Sequence, residues 1–274
     1  MRAAALAATA PLWPTGVRGM TQPQRVGVAF SSGGLHGLVH VGAIRAFDSL
    51  GFRPHAIAGC SVGAIAGALW AAGLPADEIE AIALDSSWRE AERWRVPRYG
   101  LGRLTRLQQL IDERTNGARI ETLDVAFAAV ATDLATGRGK ILTRGALAPA
   151  VAASSAVPIR YEPVEIDGRR LVDGALTAPL PVDAARALGA DFVIAIDVAY
   201  RPYEEAVTGI TGIAFQMFHI MVNRLIAEQI LRADHAIRLD VHSLAMGRGE
   251  RALIEFGEKV VREAWPALRR RVGS

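Results

Sequence analysis

The chain has 274 residues and one cysteine, Cys60, so neither an intramolecular disulfide nor a cysteine-based zinc site can be built within it. A net charge of +3 and a pI near 9.4 reflect a small surplus of arginine, too weak to point to nucleic acid. About half the residues are apolar, yet no run of about 18 uninterrupted apolar residues occurs, so no membrane-spanning helix is expected.

Residues 1–24, rich in Ala, Pro and Gly, read as a leader, with Met20 an alternative start. Residues 25–274 carry no Pro- or Ser-rich linker and read as one domain. Arg25 to Phe30 is a short buried strand, followed by a Gly-rich turn and a helical pattern through Ile44, Phe47 and Leu50 that stops at Gly51. Ala56 to Ala58 is a brief strand, and Val62 to Ala72 a closely packed helix ending at Gly73. A strand–helix–strand–helix opening predicts a parallel sheet between helical layers.

From Ser86 to Arg106 the pattern breaks into an irregular insertion in which six arginines mix with Trp88, Trp94 and Tyr99. It reads as a solvated surface first and as a contact for lipid head groups second, because arginine pairs with phosphate and tryptophan favours the interface. Asp124–Thr132 and Lys140–Leu142 read as strands, Ala146–Ser154 as a helix, and Val164–Ile166 with Arg169–Val172 as a hairpin around Asp167-Gly168. Pro181–Leu188 is helical, and Phe192–Ile196 is a buried strand with Asp197 at its exit. A long helix from Ile210 to Leu231 sets Ile210, Ile213, Met217, Met221 and Leu225 along one stripe, expected to pack in the core. A short strand at Ala236–Leu239 and a helix from Gly249 to Ala264 close the chain.

The chemistry centres on Gly59-Cys60-Ser61-Val62-Gly63, a G-x-S-x-G pattern between a strand and a helix. There a sharp turn lifts a serine hydroxyl clear of the sheet, and the helix amides behind it favour negative charge on a bound carbonyl oxygen. Gly33-Gly34-Leu35-His36-Gly37, directly after the first strand, offers amides for that oxygen. A dinucleotide loop is the competing reading, but Ser32 stands where its first glycine is needed and no ribose-binding acid ends the second strand. The base is open between a histidine, His235 or His242, and Asp173, which leaves a strand into a turn at Gly174. Cys60 and Asp197 are assigned no chemistry, since neither has partners at catalytic or ligand spacing.

With Ala153-Ser154-Ser155-Ala156-Val157-Pro158 added, these stretches make the chain resemble the patatin-like phospholipase family from Val26 to about Asp197. The resemblance implies a three-layer αβα sandwich with a central, mostly parallel sheet. It also implies hydrolysis of phospholipid, lysophospholipid or other acyl esters without metal or cofactor. Ser61 is then the nucleophile, Asp173 the proton acceptor, and the Gly33 and Gly34 amides the oxyanion donors. Two positions depart from the family pattern: Ser32 replaces a third glycine, and His36 replaces an arginine or lysine. Acyl transfer to another acceptor, or lipid binding by a protein with a decayed loop, are the alternatives. The lone cysteine suggests a reducing, cytoplasmic setting, with peripheral membrane contact at most.

Overall fold

The computed structural model describes residues 25–85, 102–199, 207–239, 241 and 249–272. The leader, His242 and nearly all of the Arg- and Trp-bearing insertion lie outside the described residues.

Eight strands form one sheet: β1 (Val26–Phe30), β2 (Ala56–Cys60), β3 (Ala126–Asp133), β4 (Gly139–Leu142), β5 (Val164–Ile166), β6 (Arg169–Asp173), β7 (Phe192–Asp197) and β8 (His235–Arg238). Their order is β5-β6-β3-β2-β1-β7-β8, with β4 also on β3. The run β3-β2-β1-β7-β8 is parallel, while β4 and β6 join β3 antiparallel and β5 closes the predicted hairpin with β6. The described helices are α1 (Leu38–Ser49), α2 (Val62–Ala71), α3 (Ala76–Leu84), α4 (Thr105–Thr115), α5 (Leu147–Ser154), α6 (Val182–Ala187), α7 (Gly209–Gln229) and α8 (Gly249–Val272).

Alternation along the buried strands sorts large from small side chains. Val28, Phe30, Ile57, Phe127, Ile194 and Ile196 point to one face, where α1 to α5 and α8 pack. Ala29, Ala56, Ala58, Ala128 and Ala195 point to the other, under α6 and α7. A sheet buried on both faces is what the continuous apolar runs require. The small residues let the second layer approach closely: a Cβ on Gly27 would lie 2.6 Å from the Ala190 Cβ. The expected αβα sandwich is therefore the observed fold.

Three stretches differ from the expectation. Helices α3 and α4 flank the insertion, where no helix was assigned; each buries only two or three apolar side chains. Helix α8 runs past Ala264 and through Pro266, because Leu268 is fully buried beyond the proline and the Arg271 guanidinium sits 5.1 Å from the Phe192 ring. Tertiary contact outweighs the proline's local cost there.

The third difference is the stripe on α7. Its five residues are not core: Ile210 is 89% and Met217 65% exposed, Met221 and Leu225 are half-buried, and the helix reaches the core through Val222 and Ile226 beside the stripe. A helix of 21 residues is roughly 31 Å long, well beyond the span of strands β7 and β8 that it connects. Its first turns therefore extend beyond the layer that could cover them.

Candidate active site

Ser61 stands between β2 and α2 with φ 54° and ψ −124°, close to the first central position of a II′ turn, where glycine is favoured. A serine held there stores backbone strain. The elbow is made sterically possible by its flanking glycines. A Cβ on Gly59 would lie 2.4 Å from the Gly63 carbonyl oxygen, and one on Gly63 2.5 Å from the carbonyl oxygens of Phe30 and Ser31.

The Gly-rich loop follows β1, the neighbour of β2, and Gly34 takes the left-handed φ of 57° that starts a 3-10 turn over Gly34–Gly37. Gly37 packs directly against Val62, the residue after Ser61: a Cβ would lie 2.0 Å from its Cγ2. Loop and elbow are thus locked together.

Ser32 is engaged elsewhere. Its amide donates to the Pro179 carbonyl at 2.8 Å, and its own carbonyl accepts from the Ser31 hydroxyl at 2.7 Å. The Ser31 hydroxyl in turn accepts from the Val198 amide at 2.9 Å, and the Ser31 carbonyl accepts from His40 Nε2, also at 2.9 Å. His40 is fully buried, and burial pushes its pKa down to about 4, so it works as a neutral donor. His36 is buried at the base of the loop.

Sheet register brings Asp173 to Ser61. Cys60 pairs with Val130 across β2 and β3, and Ala131 pairs with Asp173 across β3 and β6. The residue after Cys60 and the last residue of β6 therefore stand at one level. The Asp173 backbone is fixed on both sides, its amide donating to the Ala156 carbonyl at 2.9 Å and its carbonyl accepting from the Thr132 hydroxyl at 3.0 Å. Its carboxylate accepts from the Ala175 amide at 2.8 Å, in the turn that Gly174 allows by approaching the Val130 carbonyl. Burial pushes the Asp173 carboxyl up to about 6, partly offset by hydrogen bonding from the Ala175 amide, the Ser61 hydroxyl and the Cys60 thiol. Cys60 is pushed well above its ordinary value by burial and by the neighbouring carboxylate, which keeps it a thiol.

Two residues of the site carried no role in the sequence reading. The Ser154 hydroxyl accepts from the Ser61 amide at 3.0 Å and donates to the Val130 carbonyl at 2.6 Å, pinning the elbow to β3. Arg160 lines the cavity described next. Ser154 lies in the Ala153–Pro158 motif, but its task depends on a contact 93 residues away in sequence. His235 is not brought to the site. It starts β8, with β7 and β1 between it and β2.

A cavity of about 450 Å³ opens over Ser61. Its lining is mostly apolar, from Leu38, Val41, Ile65, Leu69, Ile79 and Leu107, and includes Ser61 and Gly34. This is the size and character of a small-molecule site, mostly apolar with a few polar groups.

The fold and site together define an αβα protein with a buried serine on a strained elbow after β2 and a buried aspartate at its level. The family model for patatin-like phospholipases matches residues 28–186, more than half of the chain, and the chain belongs to that family. It is 36% identical over 185 residues to an uncharacterized NTE family protein of Mycobacterium tuberculosis, an alignment covering 66% of this chain and 51% of that one. It is 31% identical over 186 residues to the rat patatin-like phospholipase domain-containing protein 7, covering 64% of this chain and 14% of the rat protein. The chain thus spans about half the length of the mycobacterial relative. Among solved structures, VipD from Legionella pneumophila superposes with a TM-score of 0.54 at 13% identity, covering 90% of this chain and 67% of that one. Full-length ExoU of Pseudomonas aeruginosa, bound to SpcU, gives 0.52 at 13% identity, covering 92% and 53%. Both are likenesses of fold. Among the described residues no helix is long and apolar enough to cross a membrane.

Proposed function

We propose that the protein hydrolyses carboxylic acyl esters of lipids through an acyl-Ser61 intermediate. The observation that carries this reading is the strained Ser61 beneath an apolar cavity, with the Asp173 carboxylate beside it. Asp173 takes the Ser61 proton as Oγ bonds to the ester carbonyl carbon, and the carbonyl oxygen becomes an oxyanion facing the Gly33 and Gly34 amides. The tetrahedral species collapses, the bond to the alcohol oxygen breaks, and Asp173 passes the proton to the departing alcohol. Water then attacks the acyl-serine, giving its proton to Asp173. Ser61 leaves as the proton returns to it, and the free acid is released. No metal or cofactor enters these steps.

The engagement of Ser32 supports a working loop. Its amide is tied to Pro179, so a serine at that position removes no donor from the proposed oxyanion site. A fluorophosphonate probe is expected to add one adduct to the intact protein, seen by mass spectrometry, and none to Ser61→Ala. A folded protein that takes no label would overturn the hydrolase reading in favour of lipid binding alone. Acyl transfer uses the same residues, and added acceptor alcohols would reveal it by forming new esters.

The raised carboxyl sets the pH dependence. Asp173 must be ionised to accept a proton, so kcat/KM is expected to rise about tenfold per pH unit below pH 6 and level off above it. A profile flat from pH 4.5 to 8, measured on a stable short-chain ester, would exclude Asp173 as the base.

A further inference from the structure

We infer that Arg160 is a receptor for the phosphodiester of the substrate's alcohol portion, so that the Ser61 cavity selects phosphate-bearing acyl esters over neutral ones. This rests on the hydrolase reading above. Among the described residues, Arg160 is the cation that lines the cavity over Ser61. It is exposed, its guanidinium lying 5.5 Å from the centroid of the Tyr161 ring. No described carboxylate pairs with it. Arginines elsewhere in the described fold hold acids: Arg103 has Glu162, Arg169 has Asp133, and Arg45 has both Glu80 and Glu258.

The turn that presents Arg160 is built rather than loose. The Tyr161 amide donates to the Val157 carbonyl at 2.9 Å, the Glu162 amide donates to the Gly102 carbonyl at 2.8 Å, and Arg103 holds the Glu162 carboxylate at 2.6 Å. Within this clamp Ile159 adopts φ 72°, a conformation that strongly disfavours a β-branched residue, and leaves its side chain 55% exposed. Packing does not explain that strain. The residue that follows, Arg160, lines the cavity.

The chemistry fits a monoanionic phosphodiester. A guanidinium presents a planar fork of donors that matches phosphate oxygens, and contact with an aromatic ring does not use its N–H donors. The same cavity is lined by the Glu250 carboxylate, whose repulsion grows with the ligand's charge. A diester with one negative charge suffers less than free phosphate, which approaches two near neutral pH. The lipid, with its acyl chain in the apolar part and its phosphate at Arg160, is therefore the occupant the lining favours over inorganic phosphate.

The test compares short-chain esters below their aggregation concentration, hexanoyl-glycerophosphocholine against hexanoyl-glycerol, in the wild-type protein, Arg160→Gln and Arg160→Lys. The ratio of kcat/KM for the phosphate-bearing ester to that for the neutral ester is expected to fall roughly tenfold in Arg160→Gln, mainly through KM. Arg160→Lys should recover part of the ratio, since it keeps charge but loses the fork. A ratio that stays within twofold in Arg160→Gln, or a wild-type protein that prefers the neutral ester, would overturn the inference while leaving the hydrolase reading in place. Inorganic phosphate that competes at concentrations below the KM of the phosphate-bearing ester would assign the site to the free anion. A wild-type protein inert toward both esters would sink the hydrolase reading and this inference with it.

Discussion

Asp173→Asn should be both far less active and more stable than the wild-type protein at neutral pH. Activity should fall by roughly 10³–10⁴, because asparagine keeps the shape and the acceptor for the Ala175 amide but cannot take the Ser61 proton. The stability change follows from burial. The folded state holds the carboxyl proton up to about pH 6, whereas the unfolded chain releases it near the ordinary value of about 3.9. The charged carboxylate is therefore a liability of the folded state, absent below that ordinary value and fully present above about pH 6. It amounts to about 3 kcal/mol at neutral pH. Denaturant unfolding of both proteins should show the advantage of Asp173→Asn growing from near zero at pH 4 to its full size by pH 7. An Asp173→Asn protein that keeps a tenth or more of the activity would remove Asp173 from the chemistry. An advantage that does not vary with pH would mean the carboxyl is not held up by burial.

Replacing Ser61 should separate catalysis from backbone strain. Ser61→Ala and Ser61→Gly both lose the nucleophile, and hydrolysis should fall about 10⁴-fold or more in each. Their stabilities should differ. At φ 54° and ψ −124° any side chain carries a cost of order 1–3 kcal/mol, and glycine removes it. Glycine also gives the unfolded chain more freedom, which takes back about 0.4–1 kcal/mol. Ser61→Gly is thus expected to be more stable than Ser61→Ala by about 1–2 kcal/mol, read as a higher denaturant midpoint with an unchanged slope. Equal midpoints would show that the elbow is not strained and that the fold does not hold Ser61 ready above the sheet.

Much of the frame was legible in the chain because strands buried on both faces leave continuous apolar runs and because an elbow leaves glycines at fixed offsets. Ser61, Gly59 and Gly63 announce a turn that only small residues permit, and Asp173-Gly174 announces a strand exit. The elements that escaped were those whose local pattern is weak. Helix α4 is polar overall and buries only Leu107 and Ile111, and α8 continues through a proline because buried Leu268, contact with β8 and Arg271 over the Phe192 ring hold its last turns. The stripe on α7 was legible as a stripe; that half of it faces no partner layer was not.

The sequence by itself determined that one strand leads into a serine elbow, that the preceding loop is rich in amides, and that an aspartate leaves a later strand into a tight turn. Each of these is a local fact, encoded by neighbours within a few residues. What only the tertiary structure decided was which titratable side chain stands level with the serine, what the Ser32 amide does and where Arg160 stands. Strand register sets Asp173 level with Ser61 and leaves His235 across two intervening strands. Pro179, distant in sequence, claims the Ser32 amide, and a clamped turn brings Arg160 to the cavity. These outcomes depend on pairings between segments far apart in the chain, and no local spacing encodes a contact whose partner is chosen by the packing of the whole sheet.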